Sequence, residues 1–163
     1  MKILKDSIFK IGKAHSVCQD YAAGITYPPI RDMTYNVIAL SDGCSSSLNT
    51  DWGSRLIVNE SMNAVWWPKN TKQILLSCRE NILNIPVLEE SCLDATLLMA
   101  TVEISWDNKV SFSTKIHGDG VFSYQLKNDT INITVFEFAT YAPYYPVHEL
   151  SSDRMKNYFE IIS

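Results

Sequence analysis

The residues of this 163-residue chain that could do chemistry together are aspartates set beside glycines. Asp42-Gly43 closes the apolar run Val37-Ile38-Ala39-Leu40-Ser41, and Ser45, Ser46 and Ser47 follow. A short apolar run bounded by turn residues reads as a buried strand, so Asp42 stands where that strand meets water. A carboxylate fixed there by core packing, next to a glycine whose carbonyl a ligand can approach closely, offers oxygen ligands to a hard cation such as Mg²⁺ or Mn²⁺. Gln19-Asp20 and Gly118-Asp119-Gly120 share this character, each with an acid at a turn or strand end. Asp94 and Thr96 open another apolar stretch. Carboxylates gathered at strand ends suit a two-metal hydrolase, in which the cations lower the pKa of a shared water and neutralise phosphate oxygens. Taken singly, each acid reads as a turn residue: Asp-Gly is a common turn dipeptide, and an Asp between glycines serves a hairpin bulge equally well.

The elements that must position these acids follow from periodicity. Strands are expected over Ser7–Lys13, Ala22–Tyr27 and Thr34–Leu40, with Pro28-Pro29 in a hairpin connection. Asn49, Thr50 and Asp51 supply helix-start chemistry for a helix over Asp51–Trp66, with Trp52 and Leu56 inward and Pro68 ending it. Asn70-Thr71 caps a second helix in which Leu75, Cys78 and Ile82 recur at helical spacing, closed by Pro86. From Cys92 the period changes. Strands are expected over Leu93–Ile104, Val110–Ile116, Val121–Leu126 and Ile131–Val135, as an antiparallel meander. A last helix is expected over Ser151–Ile161, after the aromatic, proline-broken loop around Tyr141–Pro146. The class is α+β, with helices packed on sheet.

Composition bounds the rest. An apolar fraction of 46% with 20% charged residues is that of a globular domain with a real core, and the length suits one domain. A net charge of −4 argues against nucleic acid or an anionic membrane as partner. No apolar run approaches the ~20 residues needed to span a bilayer, and Met1–Asp6 lacks a signal-peptide core. The four cysteines form no C-x-x-C pair and read as free thiols, so a cytoplasmic setting is expected.

In order and spacing, His15-Ser16-Val17-Cys18-Gln19-Asp20, Ala39-Leu40-Ser41-Asp42-Gly43, Asp94-Ala95-Thr96-Leu97 and His117-Gly118-Asp119-Gly120-Val121 form a set. With these motifs the chain resembles the metal-dependent serine/threonine protein phosphatases of the phosphatase 2C family, in particular their compact bacterial branch. The resemblance spans roughly Ser7 to Phe138. It implies two packed antiparallel sheets flanked by helices, with two or three Mn²⁺ or Mg²⁺ ions at one end of the sandwich. Asp42 would bridge two metals, the Gly43 carbonyl would ligate one of them, Asp20 would hold metal-bound water, and Asp119 would support a third ion. Asp94 and Thr96 would lie near the site without an assigned role. The implied activity is hydrolysis of phosphoserine or phosphothreonine in a signalling phosphoprotein by a metal-bridged water, with His15 at the catalytic centre beside Asp42.

The chain departs from the family pattern in three places. Gln19 stands where the family has a glutamate, which removes a negative charge. His15 stands where many members have a phosphate-gripping arginine, and imidazole is a poorer phosphate partner than a bidentate guanidinium. The second Asp-Gly strand end and the final acidic pair have no counterpart after Phe138, so residues 1–163 are expected to be a single domain lacking its C-terminal part. From this comes a second reading, a non-catalytic phosphatase-like binding or regulatory module. It also leads to the expectation of an uncovered sheet edge and apolar surface near Phe136 and Phe138 that favour self-association.

Overall fold

A computed structural model of the chain describes residues 4, 6–8, 10–11, 13, 16–29, 32–64, 70–138 and 143–162. Strands β1 (Tyr21–Thr26) and β2 (Met33–Ser41) form a hairpin, then helices α1 (Thr50–Asn63) and α2 (Thr71–Leu83) follow. A 3-10 turn at Glu90–Leu93 leads into β3 (Leu97–Ser105), β4 (Val110–His117), β5 (Gly120–Gln125) and β6 (Ile131–Phe136). A second 3-10 turn, Pro146–Leu150, precedes α3 (Ser152–Ile162). The first four strands make one antiparallel sheet in chain order, and β5–β6 make a separate antiparallel pair. The chain is thus α+β, its described residues forming a four-stranded sheet, a two-stranded sheet and three helices.

Alternation along β2 decides where the core sits. Val37, Ala39 and Ser41 are fully buried on one face, and the register sets Ala39 against Met99 and Val37 against Thr101. Against this face pack Ile57 and Val58 of α1 and Ile74, Leu75, Cys78 and Ile82 of α2. Each such side chain taken from water contributes about 1.5–3 kcal/mol. The opposite face carries Ile38, Leu40, Leu98 and Phe112. There β5 lies across the sheet, with Phe112 5.8 Å from Phe122 and 5.0 Å from Tyr124 between ring centroids. A Cβ at Gly120 would collide with the Leu98 side chain, so the glycine permits this close approach. The outer face of β5–β6 presents Val121, Ile131, Ile133 and Val135, each more than half exposed. Phe136 and Phe138 themselves are half-buried, and the apolar exposure of this sheet comes from these four residues, Val135 among them beside Phe136.

The C-terminal segment folds back onto the domain. Val147 is fully buried, and Tyr158 packs edge-on against Tyr144 and beside His148. His117 ties three elements through Thr71 Oγ1 at 3.0 Å and Glu149 at 3.7 Å, and burial holds its pKa below the usual histidine value. Arg154 of α3 reaches Asp94, with Nη2 2.7 Å from Oδ1, and Ser47 donates to the other Asp94 oxygen at 2.8 Å. This anchor is half-buried, so its loss should cost less than the ~3–5 kcal/mol of a fully buried pair. Arg154→Ala should lower unfolding free energy by about 2 kcal/mol in urea melts. An unchanged urea midpoint would show that α3 is held by its aromatic contacts alone.

Several local expectations change. The described residues of Ser7–Lys13 form no strand, since Ile8 is 87% exposed and no strand pairs with them. Phe9 and Gly12 lie outside the described residues. Asn49 does not cap α1 with its side chain: it has φ 59° and sends its amide to the Val87 carbonyl at 3.3 Å. Trp52 points outward, 52% exposed, because Gly53, Ile57 and Ser61 define the packed stripe. The α1 helix ends at Asn63, and Trp66 and Pro68 lie outside the described residues. By contrast, Asn70 and Gln73 form the full capping box of α2, each bond 2.9 Å. The third strand begins at Leu97 rather than Leu93, because Asp94 is drawn aside to Arg154 and Ser47. No helix among the described residues is long and apolar enough to cross a membrane.

Candidate functional site

The β1–β2 register brings two of the motif acids together. Tyr21 pairs with Ser41, and one step further along the same hairpin lies Asp20 opposite Asp42. Gly43 N donates to the Gln19 carbonyl at 3.2 Å, which carries the pairing past the strand ends. Among the described residues, no backbone bond runs back from Gln19 N to the Gly43 carbonyl. A Cβ at Gly43 would lie 2.7 Å from Thr50 Cβ. Here the glycine serves helix packing as well as ligand approach.

Three supports hold this end of the sheet. Thr96 Oγ1 accepts from Asp42 N at 2.8 Å, Thr96 N donates to the Asp42 carbonyl at 2.9 Å, and Ser41 Oγ donates to the Thr96 carbonyl at 2.6 Å. Gln19 is a brace: its amide donates to Thr50 Oγ1 at 2.9 Å, and its carbonyl accepts from Ser54 Oγ at 2.6 Å. Its side chain is thereby committed to the helix rather than to a ligand. Gly118, with φ 94°, brings the turn between β4 and β5 over Thr96, where a Cβ would lie 2.6 Å from Thr96 Cγ2. That turn carries Asp119. Thr96→Val keeps the shape but leaves Asp42 N without its acceptor. It should cost about 1–2 kcal/mol in thermal or urea unfolding, whereas Thr96→Ser should leave stability within about 0.5 kcal/mol.

Asp20, Asp42, Gly43, Thr96 and Asp119 all line one cleft of about 1180 Å³. The structure thus brings Asp20, Asp42, Gly43 and Asp119 into one place. His15 lies outside the described residues. Asp94 is engaged by Arg154 and Ser47 and does not line the cleft. Lys10, Cys44, Glu137 and Tyr145 also line it. Of these, Cys44 adjoins the Asp42-Gly43 motif and Tyr145 sits in the aromatic loop. Lys10 and Glu137 carry no local signal, because only tertiary folding brings them in.

Electrostatics follow from this crowding. The Asp42 carboxyl is pushed up to about 7 by partial burial, by its hydrogen bond with Asp20, and by the charges of Asp20 and Asp119. Like charges directly across an antiparallel pair are destabilising, and either a shared proton or a cation relieves them. Burial pushes the Cys44 thiol up, but hydrogen bonds with Ser46, Tyr145 and Ser47 outweigh it and bring its pKa below the ordinary value. Tyr145 is raised by burial and by its bond with Cys44. Among the described residues, no group of three or more His, Cys, Asp and Glu is arranged to hold a metal ion. The candidate donors are therefore the Asp20–Asp42 pair and the Gly43 carbonyl, with Asp119 contributing charge. No family model, no curated protein and no solved structure matches the chain.

Proposed function

We propose that the chain is a phosphatase-2C-like domain that hydrolyses phosphoserine or phosphothreonine in a protein substrate with Mn²⁺ or Mg²⁺. The observation that carries this reading is the convergence of Asp20, Asp42 and Asp119 on one cleft, with the Asp42 carboxyl raised to about 7 by partial burial and by its acidic neighbours. Such a cluster fits a hard cation, which would replace the proton and relieve the repulsion. Asp20, Asp42 and the Gly43 carbonyl would hold the ion. When bound, it would lower the pKa of a coordinated water and neutralise phosphate oxygens. Thr96 fixes the Asp42 backbone, and the turn over Thr96 brings in Asp119. Lys10 supplies the cleft with a positive charge for a phosphate group. By the same resemblance, His15 would take the second catalytic role. Free thiols at all four cysteines fit a reducing, cytoplasmic setting. The apolar outer face of β5–β6 supports self-association.

A second reading, a non-catalytic module that binds a phosphoprotein, is favoured by two observations. Among the described residues, no three or more His, Cys, Asp and Glu side chains are grouped to hold a metal ion, and the Gln19 amide is engaged by Thr50. Calorimetric titration with Mn²⁺, paired with hydrolysis of an aryl phosphate and a phosphoserine peptide, separates the two. Saturable Mn²⁺ binding with Mn²⁺-dependent turnover is the expected result. Phosphopeptide binding without turnover would establish the second reading, and no Mn²⁺ heat at all would remove the metal assignment.

A further inference from the structure

None of the four cysteines is in a disulfide, and two of them, Cys18 and Cys44, line the carboxylate cleft. The hairpin register explains why. Tyr21 pairs with Ser41 and Gly43 N bonds Gln19 O. Cys44 N turns the other way, to the Asp94 carbonyl at 2.8 Å. Continued one step further along the same two chains, this register would set Cys18 across from Cys44 as a non-hydrogen-bonded pair. In antiparallel chains such pairs have Cα atoms about 4.5 Å apart, inside the ~4.4–6.8 Å that a disulfide spans. Both side chains are partly exposed, so a small oxidant reaches them, whereas Cys78 and Cys92 are buried in the core. Cys18 Sγ has a weak partner, the Asp20 carbonyl at 3.7 Å, whereas Cys44 Sγ is hydrogen-bonded to Ser46 Oγ at 3.0 Å and to Tyr145, and those bonds must give way for the two sulfurs to join.

We propose that Cys18 and Cys44 are a redox-responsive pair that closes into a disulfide at the mouth of the carboxylate cleft. With hydrogen peroxide as oxidant, one sulfur attacks a peroxide oxygen, the O–O bond breaks, and a sulfenic acid and water result. The second sulfur then attacks the sulfenic sulfur, the S–S bond forms, and a second water leaves with the proton of that thiol. The two sulfurs together lose two electrons and the peroxide is reduced to two waters. The bond ties the segment before β1 to the loop after β2, on the same face of the hairpin as Asp20 and Asp42, two pairs further out. It therefore locks the entrance of the cleft in one width. A cytoplasmic protein would hold such a bond only transiently, as sensors do. This inference stands on the hairpin register and is independent of any metal or phosphatase chemistry.

The test uses the wild-type chain. Folded protein and urea-unfolded protein are treated with the same dilute hydrogen peroxide, quenched, and mapped by peptide mass spectrometry without reduction. In the folded sample, thiol titration should fall from four to two, with one linked peptide joining Cys18 and Cys44 that dithiothreitol cleaves. The link should form at least about tenfold faster in the folded than in the unfolded sample, because only the fold holds the two thiols together. Equal rates in the two samples would overturn the proposal. So would separate sulfinic or sulfonic acids on Cys44 without a link, a link to Cys78 or Cys92, or four surviving thiols.

Discussion

Gly53→Ala should cost about 4 kcal/mol or more, or prevent folding outright. By propensity the change ought to help. Glycine inside a helix is about 1 kcal/mol worse than alanine, and Gly53 lies in the first half of α1. Contact decides against that gain. A Cβ on Gly53 would fall far inside the van der Waals surface of the Cys92 carbonyl and 3.1 Å from Leu93 N. These are backbone atoms in a turn whose Cys92 and Leu93 side chains are both buried, so they cannot swing aside as a flexible side chain would. The clash must be met by moving α1 or the 3-10 turn, and either shift opens the core around Ile57 and Leu93. The disturbance would also reach the candidate site. The displaced turn leads directly into Asp94 and Thr96, and Thr96 holds the Asp42 backbone. Urea denaturation gives the stability, and near-ultraviolet circular dichroism reports the packing of the aromatic side chains. An alanine variant as stable as the wild type would mean that α1 and the turn are further apart than they stand here.

The motif acids were legible because each carries a local signature. Asp42 follows an alternating apolar run whose burial forces the strand to end at the surface, and Asp119 sits between glycines that only a turn requires. Asp20 gains its meaning from the hairpin: once β1 and β2 pair, register alone sets it across from Asp42. The Asn70 cap of α2 was legible for the same reason, a local bond, although its reciprocal partner Gln73 was not read from the sequence. What escaped were choices made over long separations. Arg154 captures Asp94 from 60 residues away, and that capture delays the third strand to Leu97. Asn49 has a capping side chain by type, yet the Val87 carbonyl takes its amide. Trp52 is the bulkiest apolar residue of α1 and reads as inward. The helix instead turns its small residues to the core, because the Cys92 carbonyl needs room over Gly53. Lys10 and Glu137 reach the cleft from segments without periodicity, where no local rule gives a direction.

Asp42→Asn should weaken Mn²⁺ binding at least tenfold and, without added cation, make the protein more stable at pH 8 than the wild type. Both effects come from the same charge. In the folded chain the Asp42 carboxyl titrates near 7 against an ordinary 3.8, because partial burial, the bond with Asp20 and the charges of Asp20 and Asp119 oppose ionisation. Between those two values the folded state keeps a proton that the unfolded chain has lost. Stability is therefore full below about pH 4, falls as the pH rises through 7, and levels off above it. Asp42 is exposed at its outer edge, so solvent screens part of this penalty, leaving about 1–2 kcal/mol between pH 4 and pH 8. Asparagine keeps the shape and can donate to Asp20, and it carries no charge to lose. The stabilities of the wild type and the Asp42→Asn variant should coincide near pH 4, draw apart between pH 4 and 7, and stay a constant distance apart above neutrality, with the variant higher. Mn²⁺ should then reverse the order. A cation held by Asp20 and Asp42 takes the place of the proton and adds RT ln(1 + [Mn²⁺]/Kd) to the wild type alone. Melting temperatures at pH 4 and pH 8, with and without Mn²⁺, give all four comparisons. Parallel curves at every pH would deny the carboxylate pair its repulsion. A wild type that gains nothing from Mn²⁺ would leave the repulsion in place and remove the cation as its remedy.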